Sequence, residues 1–201
     1  MFCTLEEAVA AFAQGEFLVL ADDREREDEG DLIVAAQHVD AARVNTMLAL
    51  ARGMLHLATT GVHLERLGID LIKPRHADRR TPRFGLPFDA RRGITTGISA
   101  PDRAVTIRRT LEPEAGPEDF VIPGHVLPLA ADPLGLRGRR GHTEGSVELA
   151  RLAGLFPAAV MSEVLTPDGQ MARGSQLHDF ALQLGCKVID VASVSRGLGT
   201  G

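Results

Sequence analysis

The chain has 201 residues, 44% hydrophobic and 24% charged, with a formal net charge of −5 and a sequence pI near 5.8. With no basic stripe and no Trp or Tyr, this composition argues against a nucleic-acid partner held by phosphate contacts and aromatic stacking. No tract approaches the ~20 apolar residues that span a bilayer, and "MFCTLEEAVAAF" has no basic region ahead of an apolar core, so a single cytoplasmic domain over residues 1–201 with no membrane contact is expected.

In chain order, Thr4 with Glu7 forms a capping box for a helix carrying Leu5, Ala8, Val9 and Phe12, with Gly15 as its stop. "EFLVLAD" and "DLIVAA" (31–36) read as strands on either side of a dense charge block. Asp40 caps a helix through Ala51, Gly53 ends it, and "MLHLAT" follows as a short strand. Residues 72–92, rich in proline and basic side chains, show no periodicity and are expected to form a long loop or lid. Ser99 with Asp102 starts a helix through Leu111. "HVLPLA" reads as a strand that Pro128 would confine to an edge or a bulge. "GLRGRRGHTEGSVELARLAG" runs from a loop into a helix capped by Thr143 and ended by Gly154. "AAVMSEVL" is a strand, "TPDGQ" a turn, "SQLHDFALQLG" a helix and "KVIDV" a last strand. Cys3 and Cys186 fit no metal or redox spacing.

Several stretches could carry chemistry. "DDREREDEGD" (22–31) holds nine charged side chains in ten positions, a net −5. By composition such a run is a solvated loop. Carboxylates this crowded are also relieved by arginine or by a divalent cation, for which Mg²⁺ takes oxygen ligands, and Gly30 supplies a turn that separates Glu27 and Glu29 from Asp31. "RGRRGHTE" (137–144) sets arginines and a glycine turn at a helix start, where free N–H groups suit a phosphate, with His142 alongside. The alternative is that Thr143 only caps its helix while the arginines face water. His125 in "IPGHVLP" and Glu163 in "VMSEVL" are polar residues in apolar surroundings, where a carboxyl pKa rises toward neutrality. In "GITTG" the hydroxyls of Thr95 and Thr96 suggest ligand contact.

Taken together and in order, "DREREDEGDLIVAA", "GITTGISAPDRAVTIR", "PGHVLPLA", "GHTEGSVELARLAG" and "EVLTPDGQMAR" resemble the 3,4-dihydroxy-2-butanone 4-phosphate synthase family from about Thr4 to about Val191. The resemblance implies an α+β fold, a mixed-sheet α/β sandwich, and a homodimer with sites at the subunit interface. It implies Mg²⁺-dependent conversion of ribulose 5-phosphate to the four-carbon phosphate and formate in riboflavin biosynthesis, with Mn²⁺ as an alternative ion. By position, Glu27 and His142 resemble the metal ligands. Arg26, Glu27, Asp31, Thr96, Arg139, Gly141, His142, Thr143 and Glu163 resemble the substrate contacts, with Arg139 and residues 141–143 as the phosphate loop. His125, Glu163 and Asp31 take the catalytic places, while Arg24 and Glu25 are left as charges facing water.

The chain departs from the family pattern at several positions. His56 stands where the family usually has cysteine, Ile122 and Ala130 where it has arginine, and "FGLPFDA" where it has "FTVSVDA"; the loop ahead of that stretch also differs. Metal and phosphate groups are kept while the surroundings of the middle of the sugar change. Two alternatives therefore stand beside the synthase: a divergent lyase or isomerase on a pentulose phosphate or related sugar phosphate, and a catalytically impaired homologue that binds one.

Overall fold

The structure is a computed structural model that describes residues 2–22, 26–76, 78 and 81–199; Arg24 and Glu25 lie outside them. α1 (Leu5–Ala13) begins at the expected box, with Thr4 Oγ1 accepting from the Glu7 N–H and Glu7 Oε2 accepting from the Thr4 N–H. It buries Ala8, Ala11 and Phe12 and ends ahead of Gly15, whose φ of 75° permits the left-handed turn. β1 (Leu18–Ala21) and β2 (Gly30–Ala35) pair antiparallel, with the charge block between them. Along β1, Leu18 and Leu20 pack into one apolar cluster and Val19 and Ala21 into the other. A sheet covered on both faces explains why these strands read as continuous apolar runs rather than as alternating ones.

α2 (Ala41–Thr46) is capped by Asp40, which accepts from the Arg43 N–H at 2.7 Å, and continues as a π-helical turn over Met47–Ala51. That turn stops at Arg52, in the left-handed region at φ 69°, one residue before the expected Gly53. β3 (His56–Thr60), α3 (Gly61–Arg66), β4 (Arg83–Phe84), β5 (Phe88–Ala90) and α4 (Ala100–Thr110) follow. β6 (Phe120–Ala131), α5 (His142–Leu152), β7 (Ala158–Glu163), α6 (Ser175–Leu184), β8 (Lys187–Asp190) and α7 (Val191–Gly197) complete the chain; the sequence did not signal α7. The sheet runs β4-β6-β3-β7-β2-β1-β8, with β5 also on β6. β1/β8 and β3/β6 are parallel and the other pairs antiparallel, which gives the expected mixed sheet. Side chains of α1, α5 and α7 fill one face, and those of α2, α3, α4 and α6 fill the other.

Three expectations are corrected. The segment 72–92 is not all loop, because β4 and β5 lie within it and pair with β6. Their two and three residues are too short to show a period. Pro128 lies in the sheet interior, between β3 and β4. Its carbonyl accepts from the Gly85 N–H at 2.9 Å, so its missing N–H falls on the side where the short β4 has already ended. Thr143 does not cap α5: Gly141 holds the N-cap position with no side-chain cap, and Thr143 is a buried residue inside the first turn.

His63 on α3 is buried, its ring edge-on to Phe156 at 4.7 Å, with Arg66 Nη2 3.5 Å from Nδ1. Burial first, then the Arg66 charge, pulls its pKa down from 6.5 to about 4. The fold holds the ring neutral while the unfolded chain protonates it, so this contribution is complete above pH 6.5 and is lost as pH falls toward 4. The loss is about 3 kcal/mol. Urea midpoints measured across that range are expected to fall less steeply for His63→Leu than for the unaltered protein; equal slopes would contradict the assignment.

Candidate active site

The site forms where β2, β3 and β7 meet the start of α5. Asp31 and Glu163 are register partners across β2 and β7. His56, the first residue of β3, pairs with Met161, two residues before Glu163. Ile33, Ala58 and Met161 face the α1, α5 and α7 layer, so by the two-residue alternation Asp31, His56 and Glu163 face it too. His142, the first residue of α5, comes down onto them, with Nδ1 3.7 Å from Asp31 Oδ1.

The electrostatics follow from burial. Asp31 is 2% exposed, and burial pushes its carboxyl up to about 6; the Glu163 charge adds to the rise while His142 opposes it. Burial also pushes Glu163 up. There the hydrogen bond and charge of His56 and the backbone N–H groups outweigh it, leaving the carboxyl below the ordinary range. His56 Nε2 lies 3.2 Å from Glu163 Oε1, and the Met54 N–H donates to Oε2 at 2.8 Å. Glu29 is raised, mainly by burial and against the nearby Arg173, and it also senses Glu27, His142 and Glu163. Glu29, just before β2, thus belongs to the same electrostatic neighbourhood as α5 and β7.

From that stretch, Arg26 Nη1 donates to Asp22 Oδ2 at 2.5 Å and to Glu27 Oε2 at 2.9 Å, while its buried Nη2 has no partner. At the start of α5, Arg139 Nη1 donates to Glu144 Oε2 at 2.8 Å, and Glu144 Oε1 accepts from the Asp132 N–H at 3.0 Å. Arg139 is therefore fixed, not waving in water. A Cβ on Gly141 would lie 2.2 Å from Arg139 Nη1, so the glycine lets the guanidinium cross the helix start.

Thr96 and His125 belong to a second group. His125 is two residues ahead of Leu127, the partner of His56, which sets it about 10 Å from Glu163 across two strand spacings. Asp89 on β5 accepts from the His125 N–H at 3.0 Å and contacts Nδ1 at 2.7 Å. Gly97 packs against both side chains. Thr95 is committed to Asp102 (2.7 Å), whereas Thr96 is exposed. Among the described residues, no hydrogen bond or ion pair joins this group to Asp31, Glu163 or His142.

Sequence reasoning missed Asp89 and Glu144. Asp89 was hidden in a stretch read as loop, and its signal was a lone acid between Phe88 and Ala90. Glu144 closes the "GHTE" string, and a buried acid one turn beyond a run of arginines is the arrangement that anchors one of them.

One nitrogen of the site is left open to a ligand. His142 Nε2 is buried without a hydrogen-bond partner, while Nδ1 lies on the side of Asp31, 3.7 Å from Oδ1. No group of three or more His, Cys, Asp or Glu able to hold a metal occurs among the described residues.

Gly53 sits against the site, where a Cβ would lie 2.5 Å from the backbone oxygen and Oε2 of Glu163. Gly53→Ala is expected to cost about 1–3 kcal/mol, read as a lowered urea midpoint, and to reduce turnover by displacing that carboxylate.

No helix among the described residues is long and apolar enough to cross a membrane. The family model for 3,4-dihydroxy-2-butanone 4-phosphate synthase matches residues 6–196. The chain is 45% identical over 195 residues to the riboflavin biosynthesis protein RibBA of Aquifex aeolicus, covering 96% of this chain and 48% of that protein. It is 42% identical over 187 residues to the 3,4-dihydroxy-2-butanone 4-phosphate synthase of Agrobacterium fabrum, covering 93% and 88%. The chain thus spans about half or less of the RibBA proteins it matches, and most of the Agrobacterium synthase. A solved 3,4-dihydroxy-2-butanone 4-phosphate synthase in complex with two magnesium ions superposes with a TM-score of 0.92 at 36% identity, covering 98% of this chain and 97% of that one. The two-domain synthase RibBX of A. baumannii superposes with a TM-score of 0.91 at 41% identity, covering 96% and 56%. On the family match across nearly its whole length, this chain belongs to the 3,4-dihydroxy-2-butanone 4-phosphate synthase family.

Proposed function

We propose that this chain converts D-ribulose 5-phosphate to 3,4-dihydroxy-2-butanone 4-phosphate and formate. The observation that carries the reading is the meeting of Asp31, Glu163 and His142, whose buried Nε2 has no partner, beside the fixed Arg139 at the start of α5. The substrate phosphate lies against Arg139 and the first N–H groups of α5, at Gly141, His142 and Thr143, which orients the sugar toward the carboxylates. The free Nη2 of Arg26 donates to a sugar oxygen, and Asp31 bonds a neighbouring hydroxyl. Glu163, held as a carboxylate, accepts the acidic proton next to the ketone; Asp31, with its pKa near 6, can pass protons near neutral pH through the enediol stages. Glu27 and His142 hold Mg²⁺, with Mn²⁺ as the alternative ion. When bound, the ion polarises adjacent substrate oxygens.

The chain acts as one domain and pairs as a homodimer. Exposed Ile98, Val121 and Ile122 neighbour Thr96 and His125 in sequence, and an apolar rim there suits a second copy. His125 and Thr96 would then complete the partner's site rather than their own, which accounts for their separation from Glu163.

The test is incubation of the pure protein with ribulose 5-phosphate and Mg²⁺, following formate and the four-carbon phosphate by ¹³C NMR. Stoichiometric formate is expected. The buried imidazole against Glu163 favours one second reading, a divergent lyase or isomerase on a related pentulose phosphate, and consumption without formate would establish it. Tight binding without turnover would identify an impaired homologue.

A further inference from the structure

We infer that His56 is a positioning residue for Glu163, fixing its carboxylate in one rotamer beside Asp31 without itself carrying protons to or from the substrate. The inference rests on the synthase reading of this site.

The Glu163 carboxylate is held at both oxygens. His56 Nε2 lies 3.2 Å from Oε1, and the Met54 N–H donates to Oε2 at 2.8 Å. Gly53 leaves no room behind it, since a Cβ there would lie 2.5 Å from Oε2. His56 is as firmly held as what it holds: the residue is 2% exposed, and its ring lies 5.8 Å from that of Phe84, centroid to centroid. A buried, packed imidazole has few rotamers to lose, so its hydrogen bond to the carboxylate costs little entropy.

The other ring nitrogen sets the role. Nδ1 of His56 is buried with no hydrogen-bond partner. A proton relay needs a donor on one side and an acceptor on the other, and this imidazole has a partner only at Nε2. It is the terminus of the chain rather than a link. The clamp has a purpose because Asp31 is the register partner of Glu163, and two carboxylates set side by side repel each other. Unclamped, Glu163 would be free to turn away from Asp31 toward solvent, or to share a proton with it. The charged or titratable groups facing the pair are Asp31 from β2, Glu29 just before it, and His142 from α5.

The test compares His56→Leu, which removes the donor, with His56→Gln, whose amide N–H can reach the same oxygen. For His56→Leu, kcat for formate release is expected to fall about 10- to 100-fold with KM within a factor of about three, because position and not binding is lost. The acid limb of the kcat profile should move to higher pH as Glu163 loses its partner. His56→Gln should recover most of the lost kcat. Equal, unimpaired kcat and an unmoved profile in the Leu variant would overturn the inference. So would a Gln variant as impaired as the Leu one, since that would show the imidazole itself taking a proton. A ¹³C titration of the Glu163 carboxyl in the folded variants gives a readout that does not need turnover: its pKa should rise in His56→Leu relative to the unaltered protein, and no rise would refute the clamp. If the unaltered protein releases no formate, the synthase reading fails, while this titration still decides the role of His56.

Discussion

Replacing Glu163 by Gln is expected to lower kcat for formate release by about 10³-fold with little change in KM. The substitution preserves volume, and one amide oxygen can still accept from His56 or from the Met54 N–H, which now make separate bonds to the two carboxylate oxygens. The amide oxygen accepts from the Met54 N–H and the NH₂ can donate to His56 Nε2 in its other tautomer, so the clamp persists while the base is lost. Stability should hold. Removing the Glu163 charge relieves one of the contributions that raise Asp31, so the midpoint of thermal unfolding is expected to stay within about 3 °C of the unaltered value. A variant that keeps kcat within about threefold would remove Glu163 from proton transfer.

The layers of the fold were legible where periodicity and caps agreed. Thr4 with Glu7, Asp40 and Ser99 marked helix starts that the structure places at the same residues. The apolar runs gave β1, β2, β3, β7 and β8. What escaped was decided by contacts distant in sequence. β4 and β5 exist because β6 lies beside them, and Pro128 is tolerated in the interior because its neighbour strand is two residues long. Thr143 resembled a cap by type and spacing, yet Gly141 was needed at that position to pass beneath the Arg139 guanidinium.

The site divides in the same way. Asp31, His142 and Glu163 were found by residue type and order, and the structure brings them together. Their partners were not readable, because a hydrogen bond from His56 to a residue 107 positions away leaves no local pattern. Asp89, which holds His125, was equally hidden, 36 positions distant. Among the described residues of a single chain, no hydrogen bond or ion pair joins His125 to the carboxylates of Asp31 and Glu163. No local spacing could have shown that separation, since it depends on the order of strands in the sheet.

Glu27→Ala is expected to abolish most metal-dependent turnover, about 10²-fold or more, while leaving the fold intact. The side chain is 39% exposed, and among the described residues it pairs with Arg26, which keeps its bond to Asp22. Truncating it therefore removes little packing, and the change in stability should stay within about 0.5 kcal/mol. The loss should instead appear in the ion. Mn²⁺ binding followed by electron paramagnetic resonance should weaken by at least about tenfold, because under the proposed assignment His142 alone would be left to anchor the cation. Raised Mn²⁺ should restore part of the turnover, and Glu27→Asp, with the same charge on a shorter stem, should fall between the two. The comparison also separates two effects within the charge block. If Glu27 served only to pair with Arg26, its loss would free that guanidinium and alter KM for the sugar phosphate without changing Mn²⁺ affinity. Full activity at ordinary Mg²⁺ would return the stretch before β2 to a solvated charge run.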